Sequence, residues 1–188
     1  MAAASEVKGV WFAAARRFLI EQEPASIDDV LAFMNDRHRP ALESPLASGW
    51  YPEEALQDLL HALFHVIAQN DPERAIDIID RASELAISRF FRTLMRLGSA
   101  EFVLRAVPTM WSLIRRGAGS VDVSVTKGRA IVSYKRFPYF DDPVYRHLVV
   151  GSLRALVRIA TGRTPKIELV HYAHSSLTAH VDLSVSPA

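Results

Sequence analysis

The chain has 188 residues, 49% of them hydrophobic, which suffices for one globular domain or for two small subdomains sharing a core. Lys and Arg (22) nearly cancel Asp and Glu (21), which removes any bulk electrostatic case for nucleic acid or an anionic membrane as partner. No cysteine is present, which excludes disulfide scaffolds, thiolate zinc sites, iron-sulfur clusters and cysteine nucleophiles, and suits a cytoplasmic protein.

The amphipathic run Val7 to Gln22 reads as the first helix. Lys8, Arg16 and Arg17 interrupt its apolar stretches, so it lacks the order of a signal peptide, and no segment reaches the roughly 18 apolar residues of a membrane helix. Ser26 is placed to cap a second helix to Arg37, with Asp28 and Asp29 in its first turn. A loop, RPALESPLASGWYPEE, ends in a start signal, Pro52 followed by Glu53 and Glu54, for a helix to about Gln69. Asn70-Asp71-Pro72-Glu73 repeats that signal for a long helix from Pro72 to Leu97, closed by Gly98. Ser99 can cap the next one, which contains FVLRAVPTMWSLIRRG, Phe102 to Gly117. There Phe102, Val103, Ala106, Val107, Met110, Leu113 and Ile114 form one apolar arc, and Trp111 sits at its edge beside Leu104 and Arg115. Pro108 removes a hydrogen bond to the Leu104 carbonyl, so a kink three residues before Trp111 is expected.

After Gly117-Ala118-Gly119-Ser120 the period changes to that of strands. Val121, Val123 and Val125 alternate with polar residues, Lys127-Gly128 turns into a strand over Arg129 to Phe137, and Asp141-Asp142-Pro143 opens a helix that ends near Thr161-Gly162. Strands follow at Lys166 to Tyr172 and Ser176 to Val185. The fold class is therefore α+β: an N-terminal helical half of about five helices (1–117) and a β-β-α-β-β antiparallel-sheet half (118–188), together one compact domain.

Three clusters carry candidate chemistry. His61 and His65, four apart on a helix, have the spacing of a zinc pair, but no third ligand accompanies them and the glutamate of a zinc protease is missing; they fall on the polar side with Glu54 and Asp58. His171, His174 and His180 surround the last hairpin with Asp182 as the only neighbouring carboxylate, a pattern that surface histidines also give. Arg81, Arg89, Arg92 and Arg96 form a stripe on the long helix, suited either to an anion or to a solvated face; Ile78 and Leu85 lie within it and call for a second apolar neighbour. No phosphate loop, serine elbow or kinase signature occurs.

Tyr51-Pro52, Arg92-Thr-Leu-Met-Arg-Leu-Gly98, Phe102 to Ile114, Val132 to Arg136 and Gly151-Ser-Leu-Arg-Ala-Leu-Val, in that order, resemble the haem nitric-oxide/oxygen-binding sensor domains and the related vinyl-reductase-type ligand-binding domains. The stretches GVWFAAARRFL, ASGWYPEEALQDLLHAL, SRFFRTLMRLGS, VPTMWSLIRRGAG, FPYFDD and VGSLRALVRIATGR also resemble a family of myxobacterial proteins of similar length, a likeness that brings no function with it. In the haem sensors the helix after leucine-glycine supplies the iron-ligating histidine, and the resemblance puts Trp111 in that place. An indole nitrogen has no free lone pair to offer a metal. The sensors' Tyr-x-Ser-x-Arg motif finds its best match in Val132-Ser-Tyr134-Lys-Arg136, which keeps only the arginine. The vinyl-reductase-type domains often bind metal through cysteines, which are absent here.

The reading is a non-enzymatic sensory or regulatory domain of this fold, without haem or another cofactor, that binds a small apolar or aromatic ligand. Leu104, Met110, Trp111, Tyr134 and Arg136 are the expected pocket residues, with the arginine as the one basic anchor for an organic anion. The alternative is a protein-protein interaction module, including a homodimer, with a filled core and the aromatics of Phe137-Pro-Tyr-Phe140 exposed. An enzyme using the His171/His174/His180 cluster is the third class. A cavity above roughly 300 Å³ beside Trp111 is the feature that separates ligand binding from a filled core.

Overall fold

The computed structural model describes residues 5–95, 99–126, 129–173, 175 and 178–184, with side chains throughout except at 88–95, 169–171, 179–180 and 183. A short strand precedes the first helix: β1 (Glu6–Lys8), then α1 (Val10–Gln22). Val7 and Lys8, expected in the helix, pair instead with neighbours from far along the chain. β1 is the middle of a small antiparallel sheet whose flanks are β2 (Trp50–Pro52) and β3 (Arg115–Arg116), with Val7 opposite both Tyr51 and Arg115. Two- and three-residue strands carry too little pattern to be recognised in the sequence.

α2 (Ile27–Phe33) follows a 3₁₀ turn at Pro24–Ser26, and the Ser26 side chain makes no capping bond. α3 (Arg39–Glu43) lies inside the expected loop. α4 (Glu53–Ala62) starts after Pro52 as expected, then loosens into one π-helical turn over Leu63–Ile67, where Ala68 N donates to Leu63 O at 2.9 Å. The turn ends at Gln69 and Asn70, both with positive φ. α5 (Pro72–Met95) is the long helix. Ser99 caps α6 (Ala100–Arg105), its hydroxyl accepting from Phe102 N at 3.3 Å. The expected single kinked helix is two helices, because Pro108 falls in the first turn of α7 (Val107–Ile114), where a missing N–H costs nothing, and the chain breaks at Ala106. That break exposes Phe102 and Leu113, assigned above to the core arc.

The second half follows its pattern. β4 (Ser120–Thr126), β5 (Arg129–Lys135), β6 (Lys166–Ala173) and β7 (Thr178–Ser184) form one antiparallel sheet in the order β4-β5-β7-β6. Between the hairpins lies α8 (Pro143–Thr161), capped by Asp142, whose carboxylate accepts from Val144 N at 2.8 Å, and closed by Gly162 at φ +70°. α8 packs along α5, and α5 in turn meets α1. This second neighbour accounts for Leu85, which rests on the cluster Val10, Ala14 and Ala86, while Ile78 is buried in the main core. No helix among the described residues is long and apolar enough to cross a membrane.

Candidate functional site

The small sheet has one consequence for chemistry. Glu53 directly follows β2 and its N–H donates to Ser5 O at 3.0 Å, while Arg115 lies in β3, so pairing both strands with β1 brings a carboxylate and a guanidinium 62 residues apart into contact. Both are buried. Arg115 Nε donates to Glu53 Oε1 at 3.3 Å, Arg115 Nη2 donates to the Tyr145 hydroxyl at 3.2 Å, and that hydroxyl makes a short bond to Glu53 Oε1. Burial pushes the Glu53 carboxyl above its ordinary range, and Arg115 and Tyr145 only partly offset this. Arg115 feels the same desolvation, but Tyr145 and Glu53 outweigh it and hold the cation firmly protonated. Burial also raises Tyr134 and Tyr145, so both phenols stay neutral.

Around this pair the aromatic side chains close up. The Arg115 guanidinium lies 4.3 Å from the Trp111 ring centroid, a cation–π contact. Trp111 meets Phe137 edge-on at 5.0 Å and Tyr134 at 5.5 Å, and Phe140 packs on Tyr134 and Phe137 at 5.0 Å each. Phe137 and Phe140, which the interaction-module alternative places on the surface, are fully buried, because the 3₁₀ turn Pro138–Asp141 folds both rings inward.

Beside the cluster, between α1, α5, α7, α8 and the sheet, lies an apolar cavity of about 80 Å³. Its described walls include Met110, Trp111, Tyr134 and Arg115, with Ile87, Leu148, Val149 and Leu153 as the aliphatic side. Trp11 also lines it, and its indole N–H is buried without a partner among the described residues. A second void of about 30 Å³ between α1 and α5 shares Val10 and Ala86 with the first. Of the five residues expected to form a pocket, Met110, Trp111 and Tyr134 stand on this wall. Leu104 is buried in the core but is not among the described wall residues, and Arg136 is exposed at the end of β5 with φ +53°. The cation at the cavity is Arg115, the neighbour of Trp111 on the helical wheel; in the sequence Glu53 gives only a helix-start signal and Tyr145 gives none.

The histidines lie elsewhere. His61 Nε2 and Asp142 Oδ2 are 2.6 Å apart, and His65 stacks on Phe33. The side chains of His171, His174 and His180, and those of Arg89, Arg92 and Arg96, lie outside the described residues. Among the described residues no three groups are arranged to hold a metal.

No family model matches the sequence, and no curated protein matches it significantly. Solved structures do. An Fe(II) unliganded H-NOX protein (haem nitric-oxide/oxygen-binding) from K. algicida aligns over 96% of this chain and 97% of its own, with a TM-score of 0.67 at 12% identity. An H-NOX protein from S. oneidensis in its Fe(II)NO state aligns over 96% and 99%, with a TM-score of 0.65 at 13% identity. An oxygen-binding H-NOX domain related to soluble guanylate cyclases aligns over 94% and 91%, with a TM-score of 0.59 at 11% identity. The chain thus has the fold of the H-NOX sensor domains.

Those proteins raise the question of haem. Here the fit is poor. A cavity of about 80 Å³ is well below the roughly 300 Å³ at which pockets for organic ligands begin, and about half the roughly 150 Å³ that accommodates benzene in an engineered protein. No imidazole is among its described walls, its two phenols are held neutral, and Met110 supplies only a thioether.

Proposed function

We propose that this chain is a non-enzymatic sensory or regulatory domain that uses the H-NOX fold without haem, with the small cavity beside Trp111 and Arg115 as its ligand site. The observation that supports this most directly is the packing of Trp111 against Tyr134, Phe137 and Arg115, which occupies the space between helices and sheet and leaves about 80 Å³. The volume favours a molecule of a few heavy atoms over the aromatic ligand that the sequence suggested.

The test is titration of haemin into the purified protein, followed by absorption. The expected outcome is a broad spectrum that rises without saturation at one equivalent. A sharp Soret band saturating at one equivalent, and lost in Met110→Ala or in a histidine variant, overturns the proposal and names the ligand.

A reading as an interaction module draws on Phe102 and Leu113, about half exposed on α6 and α7. They are separated from the buried Phe137 and Phe140, so such a surface differs from the one the sequence suggested.

A further inference from the structure

We propose that the cavity binds a short aliphatic monocarboxylate, its carboxylate on Arg115 and its alkyl tail against Ile87, Leu148, Val149 and Leu153. The inference rests on the reading above, that the site is free of haem.

A guanidinium has five N–H donors in a planar fork. Arg115 uses Nε on Glu53 and Nη2 on Tyr145, and Nη1 has no hydrogen bond among the described residues. The side chain is more than nine-tenths buried and forms part of the cavity wall. A cation more than nine-tenths buried, with Nη1 unbonded among the described residues and the unpartnered Trp11 indole N–H as a second donor on a mostly apolar wall, selects for an anion joined to a hydrocarbon. Phosphate and sulfate carry more charge than one shared arginine can balance, and they leave the aliphatic wall uncovered. The volume limits the tail to a few carbons. A neutral alkane of the same size fills the wall and leaves the donor unmet, which costs selectivity.

Two carboxylates on one guanidinium form a net negative buried site, so binding is coupled to a proton. The group able to take it is Glu53. It faces Arg115 from β3 and Tyr145 from α8, has Glu54 next to it on α4 with Tyr139 hydrogen-bonded to Glu54 at 2.7 Å, and its second oxygen, Oε2, is buried with no partner among the described residues. Tyr134, from β5, faces Arg115 and is neutral. Its raised pKa brings Glu53 closer to taking the proton on binding. Affinity therefore weakens with rising pH, approaching tenfold per unit where Glu53 is ionised in the free protein.

The experiment titrates acetate, propionate and butyrate into the wild-type chain, read by tryptophan fluorescence and by the shift in thermal midpoint, with the corresponding amides as neutral isosteres. The expected result is saturable binding that tightens about fourfold per added methylene until the cavity is full. The amides should bind at least tenfold more weakly, and carboxylate affinity should fall from pH 5.5 to 8 as derived above. Arg115→Met should abolish the preference for carboxylates. Because that variant leaves Glu53 without its cation, Val149→Phe serves as a second one, narrowing the cavity with the ion pair intact, and it should remove binding of the longer acids. Equal binding of acids and amides, retention of butyrate binding in Val149→Phe, or no response at tens of millimolar acid overturns the proposal. A haemin complex in the separate absorption test removes its foundation, whereas failure of the acids alone leaves the haem-free reading standing.

Discussion

A guanidinium as enclosed as that of Arg115 remains stable only because Glu53, Tyr145 and the face of Trp111 replace the water it has lost. Glu53 is the weaker partner in this exchange, because desolvation outweighs its attraction to Arg115 and its carboxyl titrates above the ordinary value of 4.5. A carboxyl whose pKa rises on folding contributes its full stabilisation below the unfolded value and loses it as pH climbs through the folded value. Glu53→Gln does not titrate. The stability of the wild type relative to this variant should therefore decline from acid to neutral pH, whatever the variant's absolute offset; urea unfolding of both proteins at several pH values measures it, and a difference that is flat with pH refutes it. Trp111 was legible as a residue of interest because it stood at the border of an apolar arc in a helix that also held a proline. Arg115 was legible only as its neighbour on the wheel, and Glu53 looked like an ordinary acidic first-turn residue. What made these two a pair was the strand pairing through β1, a long-range property that no local period encodes.

Among the elements, the long and strongly periodic ones were readable: α5, α8 and the four strands of the larger sheet lie within a few residues of where alternation, caps and breakers put them. The short ones were not, because the pairing of β1, β2 and β3 is decided by packing and α3 has only five residues. The effect of Pro108 depends on where it falls in a helix that the sequence does not delimit, since a proline in the first turn starts a helix where one in the interior bends it. The seam between α5 and α8 offers a sharper test of packing. A Cβ placed on Gly151 lies 2.7 Å from Ile79 Cγ2, 2.9 Å from Ile79 Cβ and 3.0 Å from Ile76 O, so the two helices approach as closely as they do because this residue has no side chain. Alanine is the better helix former by about 1 kcal/mol, but overpacking a closed interface costs about 1–3 kcal/mol. Gly151→Ala is therefore expected to be destabilised by up to about 2 kcal/mol in urea unfolding, with part of the loss recovered by adding Ile79→Ala. Unchanged or increased stability in the single variant shows that the seam can open.

For the whole molecule, the question is whether the helical part and the sheet part unfold as one. Their contact along α5 and α8 is apolar at Gly151 and Ile79 and charged further along, where Asp80 accepts from Arg154 Nε and Arg158 Nη2 at 2.9 Å each, and Arg158 also reaches Glu84 at 3.0 Å. The Glu53–Arg115–Tyr145 group ties the small sheet to α8 at a second place. With two such connections and a main core that draws residues from both parts, the free energy of separating the parts is a large share of the free energy of unfolding either. Tryptophan fluorescence, carried by Trp11, Trp50 and Trp111, and far-ultraviolet circular dichroism should then follow a single coincident transition in urea. Asp80→Ala tests the coupling directly. Its two arginine partners keep 19% and 30% of their side-chain surface exposed, so they regain water when the carboxylate is removed, and the loss should be about 2 kcal/mol, below that of a fully enclosed pair. Both probes must shift together by that amount; if fluorescence and dichroism separate, either in the wild type or in Asp80→Ala, then the helical part and the sheet are two cooperative units and a signal from the cavity between them has a flexible joint to cross.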